Sequence, residues 1–294
     1  MSNARWNRLR LFAASSLVSV GIGVALAPTQ ALAAGECGVP ALGAVACAPG
    51  TYATGITYVT VTPLTVTLQQ TPTAAVNTTT GGVAISDVVA GDALVLNRSF
   101  SGTPAAGSTA PSLVNLTGNG VGVVGAGSVT VDLSAPTTDT GIVVSGSTNG
   151  IAVSSTSTTA PVNLILTSGA VSGAFGSGVL ANANGGALTI NTGAAAINGT
   201  TGGITANQFG VGAGLTVTAA GPVTATAGDG VTANLTNPFS GSAVLVNVSG
   251  LITASGNGVT ATNAGTGTTT VNQTAGDIEA HGANAISATA TGSG

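Results

Sequence analysis

Nine carboxylate and imidazole side chains could move a proton or hold a cation in this chain: Glu36, Asp87, Asp92, Asp132, Asp139, Asp229, Asp277, Glu279 and His281. Catalysis needs such groups to converge on one reacting atom. Only Asp277, Glu279 and His281 fall together, and their spacing of two places all three on one face of an extended strand. There a carboxylate and an imidazole could serve as an acid–base pair or as metal ligands. The interleaved Ile278 and Ala280 are apolar, so the charged face is the outer one. In the two preceding repeats the matching outward positions are Leu251 and Thr253, then Pro222 and Thr224, so no second acid or imidazole is stacked alongside. The trio therefore reads as solvated surface charge, and no catalytic, cofactor-binding or metal-ligating residue is assigned.

Other chemistries lack their parts. A carbohydrate-cleaving site needs paired carboxylates, usually with basic residues beside them. Arg5, Arg8 and Arg10 stand in the first ten positions, which leaves Arg98 as the one cation beyond them, with no Lys. With eight acids the rest of the chain carries a net charge of about −7. One cation cannot neutralise a row of phosphates, so nucleic acid is not an expected partner. Ser is abundant, but a lone His281 and no nucleophile-elbow sequence give no serine triad. The run Gly118-Asn119-Gly120-Val121-Gly122 imitates a dinucleotide fingerprint, yet it returns along the chain, and no helix follows to face a phosphate.

The elements that must position these residues follow from composition and period. There are 46 Gly among 294 residues, few aromatics and a steady Thr, Ser, Ala, Val and Asn background. Val, Ile and Leu are too plentiful for a disordered chain, and a core made of them in small pieces suits a narrow, stacked architecture. The phrase Gly-(Val/Ile) returns at Val121, Ile151, Val179, Ile204, Val231 and Val259, then as Ala285-Ile286, at intervals of 30, 28, 25, 27, 28 and 27 residues. Such a period marks a stacked repeat.

Three short pieces recur inside each interval, as in Gly230 to Ala233, Val244 to Asn247 and Gly250 to Ala254. Each alternates apolar with polar residues, the pattern of a strand with one buried face. Gly and β-branched residues disfavour helix throughout. The fold class expected is all-β, a right-handed parallel β-helix of about 27 residues per three-strand coil. Val121 and its equivalents should form one interior column, and Val223, Ile252 and Ile278 a second. The repeat glycines are expected at corners that need φ > 0. Asn163, Asn191, Asn247 and Asn272, each following a Val or Ile, are expected as stacked structural amides rather than a ligand-binding row.

Residues 1–33 read as a signal peptide. Arg5, Arg8 and Arg10 form the basic region, Leu11 to Leu26 the apolar stretch, and Ala31-Leu32-Ala33 the cleavage site. A retained anchor is the alternative, weakened by Ser15, Ser16, Ser19, Gly21 and Gly23 and by Pro28. Cys37 and Cys47 are the two cysteines, and in an oxidising compartment they are expected to pair as a staple. A metal site would lack further ligands, and the spacing is not that of a C-x-x-C redox pair. Residues 34–117 read as an N-terminal cap merging into irregular coils, with strands at Thr57 to Leu68 and Ala93 to Leu96. Residues 118–294 read as regular repeats that stop in mid-pattern before any C-terminal barrel.

A signal, an early cysteine pair and Gly/Thr/Ala/Asn-rich coils almost free of Lys together resemble the passenger regions of Gram-negative autotransporters. The resemblance implies export through the inner membrane to the cell surface, outer membrane or medium, with attachment to the outer membrane only through a barrel absent from these residues. It implies a non-enzymatic scaffold or adhesin without a cofactor, whose partner is a surface ligand or a host or neighbouring-cell component. Loops 207–213 and 234–241, with Phe209 and Phe239, are the candidates for contact, unless those rings pack beneath their own loops. The alternatives are a secreted carbohydrate-binding or carbohydrate-cleaving β-helix and a surface-layer component.

Overall fold

Each short segment that alternates apolar and small polar residues can bury only one face, and it does so by lying on its equivalent in the next repeat. A computed structural model describes residues 32–33, 37–101, 110–134 and 141–292. Among the described residues every regular element is a strand, and the strands form three sheets of ten, nine and nine members, here named A, B and C. One coil consists of Asp229–Leu235 in sheet A, Val244–Val248 in sheet B and Ile252–Ala254 in sheet C. The next begins with Val259–Asn263, again in sheet A. The result is a parallel β-solenoid of about eight turns with about 27 residues per coil.

The first interior column is as the period predicts. Val121 pairs in register with Ile151, Ile151 with Val179, and so on through Ile204, Val231, Val259 and Ile286. All but the last are fully buried; Ile286 is 39% exposed, because no described strand overlies the last coil. The second column, Val223, Ile252 and Ile278, is also in register and extends back to Ile197. Stacking removes these aliphatic faces from water at about 25 cal/mol per Å² while neighbouring coils satisfy one another's backbone groups.

The repeat glycines have a different role from the one their spacing suggests. None of Gly120, Gly150, Gly178, Gly203, Gly230 and Gly258 has a positive φ. A Cβ on Gly178 would instead sit 2.5 Å from Cγ2 of Ile197 and 2.8 Å from the Asn198 carbonyl oxygen. A Cβ on Gly120 would lie 2.6 Å from Cγ1 of Val144, and the other four collide in the same way with the sheet C residue beneath them. These glycines are required by close approach at the turn from sheet C into sheet A, where a β-branched core residue fills the space a side chain would need.

The turn from sheet A into sheet B is held from inside by buried polar residues at the last inward position of the sheet A strand. The N–H two residues ahead donates to the side chain in each of five coils: Thr62 to Thr60 Oγ1, Val89 to Asp87 Oδ1, Ser157 to Ser155 Oγ, Gly210 to Gln208 Oε1 and Gly265 to Asn263 Oδ1. The alternate coils carry Gly125, Ala183 and Leu235 at that place. Their corners are reached from the following coil, where Ser155 Oγ donates to the Gly127 carbonyl at 2.6 Å and Gln208 Nε2 to the Gly186 carbonyl. Thus one polar side chain satisfies two successive corners.

Coiling starts before the repeat phrase does. Ile56–Thr60 and Leu64–Gln70 already lie in sheets A and B, so the stretch Thr57 to Leu68 is two strands turned by the Thr60 hydroxyl rather than one. The strand expected at Ala93 to Leu96 runs from Leu94 to Phe100. Of the segment read as a signal peptide, residues 1–31 lie outside the described residues; Leu32–Ala33 pair antiparallel with Val59 and Tyr58. Cys37 and Cys47 are joined in a disulfide, with Cys47 fully buried at the start of sheet B. Closing this short loop contributes about 3 kcal/mol by the chain-entropy estimate.

Candidate functional site

The Asp277, Glu279 and His281 trio lies on the last coil, exposed and outward from the sheet C strand Ile278–Ala280. Glu279 stands in register with Thr253, which stands in register with Thr224, so uncharged residues flank it. Among the described residues no three His, Cys, Asp or Glu side chains gather closely enough to hold a metal ion. Glu36 and Asp139 lie outside the described residues. Asp229 is occupied structurally: Asn257 N donates to its Oδ1 at 2.8 Å and the Thr260 hydroxyl to its Oδ2 at 2.6 Å. Arg98 is also spent on the fold. Its guanidinium donates to Gln70 Oε1, and burial brings its pKa down to about 10.

The expected asparagine row is only partly a row. Asn272 Nδ2 donates to Asn247 Oδ1 at 2.9 Å, and Asn191 shares their column with Thr218 between. Asn163 is in register with Thr130 and Thr189, two positions away from that column. Following a β-branched residue is therefore not a sufficient sign of register, because each strand has two outward places.

Two amide columns that sequence reading missed lie along sheet A. At the entry corner Asn119 Oδ1 accepts from Asn149 N at 3.3 Å, and Asn149 Oδ1 from Ser177 N at 2.8 Å. The column resumes at Asp229, Asn257 and Asn284. The signal was the Asn one place ahead of Gly120, Gly150 and Gly258, with Ser177 and Asp229 in that place ahead of Gly178 and Gly230 and Gly202 interrupting it ahead of Gly203. On the outer face of the sheet, Asn207 Nδ2 donates to Asn182 Oδ1 at 3.0 Å and Asn234 Nδ2 to Asn207 Oδ1 at 3.3 Å.

Beside this ladder the face is hollow. Successive first outward positions are Gly122, Ala152 and Leu180. The two small residues leave a groove of about 210 Å³ that Leu180, Asn119, Asn149, Ser154 and Asn182 border. Such a surface can bind without reacting, since no titratable side chain lines it.

Phe209 and Phe239 lie at the A-to-B corner, and a third exposed ring, Phe175, lies at the C-to-A corner. Asn207–Gln208 and Asn234–Leu235 still belong to their strands, so the loops begin later than expected, at 209 and 236. Phe209 is 44% exposed and Phe239 83%, so these rings do not pack beneath their loops. The loops are nevertheless ordered by hydrogen bonds. Asn237 Nδ2 donates to the Phe209 carbonyl at 3.1 Å, and Phe239 N donates back to Asn237 Oδ1 at 3.0 Å.

Fold and surface together define a parallel β-solenoid with one uncharged, amide-lined side and an aromatic corner. Comparison of the chain with family models, curated protein sequences and solved structures gives no match.

Proposed function

We propose that this chain is an exported, non-enzymatic β-solenoid that serves as a rigid display platform for attachment at a cell surface, as in the autotransporter passengers it resembles. The observation that carries this reading is the outward presentation of Phe209 and Phe239 on two loops tied to each other through Asn237. Exposing such rings has a solvation cost, and fixing them in place lowers the entropy lost when a partner covers them. The stacked coils below supply the stiffness, and the Cys37–Cys47 disulfide suits an oxidising compartment.

The test is an attachment assay on cells that display the full chain, compared with cells that display Phe209→Ser/Phe239→Ser at equal surface density. The expected result is loss of most attachment with an unchanged circular dichroism spectrum of the purified variant. Attachment equal to that of the parent would refute the assignment of these loops.

A further inference from the structure

We infer that the outer face of sheet A binds a neutral polysaccharide, whose chain runs along the solenoid axis and seats a sugar ring in the groove over Ala152. The inference deepens the attachment reading by naming a partner class for the same side of the rod.

The groove has an apolar floor and an uncharged polar rim. Gly122 and Ala152 form the floor, and Leu180 closes one end. On the rim, Asn119 and Asn182 use their side-chain oxygens within the columns, while among the described residues their Nδ2 groups and the Ser154 hydroxyl meet no hydrogen-bond partner. Amide donors and a hydroxyl around a small apolar floor match a pyranose, which offers C–H faces and hydroxyl groups together. A volume of about 210 Å³ suits one ring rather than a larger aromatic ligand.

Charge narrows the class of partner. Between residues 141 and 276 the one charged side chain is Asp229, and both its oxygens are bonded by Asn257 and Thr260. An acidic polymer would find no cation here, and a basic one no free carboxylate. A peptide strand would need an open sheet edge, whereas every sheet A strand around the groove is paired on both sides.

Geometry favours a polymer over a single sugar. Asn182 is at once the rim of the groove and the first member of the Asn182, Asn207, Asn234 ladder. Asn207 and Asn234 follow at steps of about 4.8 Å along the axis, each with one N–H committed to the ladder, and Thr205 and Thr232 stand beside them, so uncharged polar groups continue the path beyond the groove. Phe209 lies two residues beyond Asn207, so an aromatic ring flanks the path. Weak contacts repeated along one chain add through effective concentration.

Full chain is titrated with neutral gluco-, manno- and galacto-oligosaccharides of increasing length, with oligogalacturonate as the charged control, by calorimetry and by amide chemical shifts. The expected result is binding of at least one neutral series that tightens with length and resists added salt, with shifts centred on Ala152, Ser154 and Leu180. Ala152→Leu fills the groove from the outer face and is expected to weaken binding about tenfold or more. Ser154→Ala with Asn182→Ala removes two of the three open rim donors while leaving the core untouched, and is expected to do the same. Absence of binding in every neutral series, equal binding of oligogalacturonate, or full affinity in Ala152→Leu would overturn the inference. Phe239→Ser alone keeps both the groove and the path beside it, so loss of cell attachment with retained oligosaccharide shifts at Ala152 separates a failure of one reading from a failure of the other.

Discussion

Asn263 and Ser242 are 21 residues apart in sequence and meet at 3.0 Å, the Asn263 Nδ2 donating to the Ser242 carbonyl inside the solenoid. The same amide group donates to the Gly267 carbonyl at 3.0 Å, and its oxygen accepts from Gly265 N at 2.9 Å. One fully buried side chain thereby closes its own corner and the corner of the coil before it, where Leu235 has nothing to offer.

Replacing that amide should unfasten both corners. Asn263→Leu leaves the Gly265 N–H and the Ser242 carbonyl without their partner, at about 1–3 kcal/mol for each unsatisfied group. Because a stack of coils opens locally before it melts, the effect is expected as faster amide exchange at Gly265, with little change in coils near Val121.

The repeat glycines should be coupled to the residues beneath them. Gly178→Ala is expected to destabilise by about 1–3 kcal/mol through overpacking against Ile197, and Ile197→Ala by about 2–5 kcal/mol through a cavity. The double variant should lose less than the sum of the two, since each change relieves part of the other. The relief is incomplete because the Asn198 carbonyl also lies 2.8 Å from the added methyl. A denaturant series on the four proteins reads the coupling directly.

A break in the entry-corner column can be repaired. Gly202 stands in register between Ser177 and Asp229, has no side chain to accept the next coil's N–H, and does not have a positive φ. An added Cβ would meet the Thr205 and Ser177 hydroxyls at 2.9 and 3.3 Å, and these must shift out of the 3.0 Å hydrogen bond they share to admit it. Gly202→Asn is expected to stabilise by about 0.5–1 kcal/mol, through a less flexible unfolded chain and a restored acceptor. An upward shift in melting temperature would show it.

Asp87 should make stability fall as pH rises from acid to neutral. Burial, with the neighbouring Asp92 adding to it, holds its carboxyl above the usual carboxylate range, and Oδ2 is buried with no hydrogen-bond partner among the described residues. A raised folded-state pKa gives stability that is full below the unfolded value and is lost as pH climbs through the folded one. Asp87→Asn keeps an acceptor for Val89 N and supplies a donor, as Gln208 and Asn263 do. The variant is expected to be the more stable protein at pH 7 and to lose that advantage below the ordinary carboxylate range, as read from urea midpoints across pH.

Reduction of the Cys37–Cys47 disulfide should cost about 3 kcal/mol. The loss is expected to be local to the first coil, with amide exchange accelerating at residues 44–47 and unchanged beyond Val121. Uniform loosening of the whole solenoid under reductant would contradict this picture.

The interior columns were legible because they rest on two local signals. Alternation along a strand fixes which side chains of Val231-Thr232-Ala233 point inward, and a steady interval fixes which of them stack. The asparagines were harder. Asn163 follows Val162 as Asn191 follows Ile190, yet the two occupy different outward places, because Val162 pairs with Leu188 and not with Ile190. The loops around Phe209 and Phe239 were located to within two residues, but their ring exposure depends on what the adjoining loop leaves uncovered.

From the order of residues alone came the strand-forming pattern, the coil length, the aliphatic ladders and the pairing of two cysteines in a short loop. Each depends on chemistry within one repeat or on the recurrence of that chemistry. Stacking alone decided why Gly178 must lack a side chain, how Asn263 reaches a carbonyl in the previous coil, and where Gly122 and Ala152 leave a groove. Those features depend on groups roughly one coil apart being pressed to van der Waals and hydrogen-bonding distance, and no local pattern carries the shape of the neighbour on the other side of that contact.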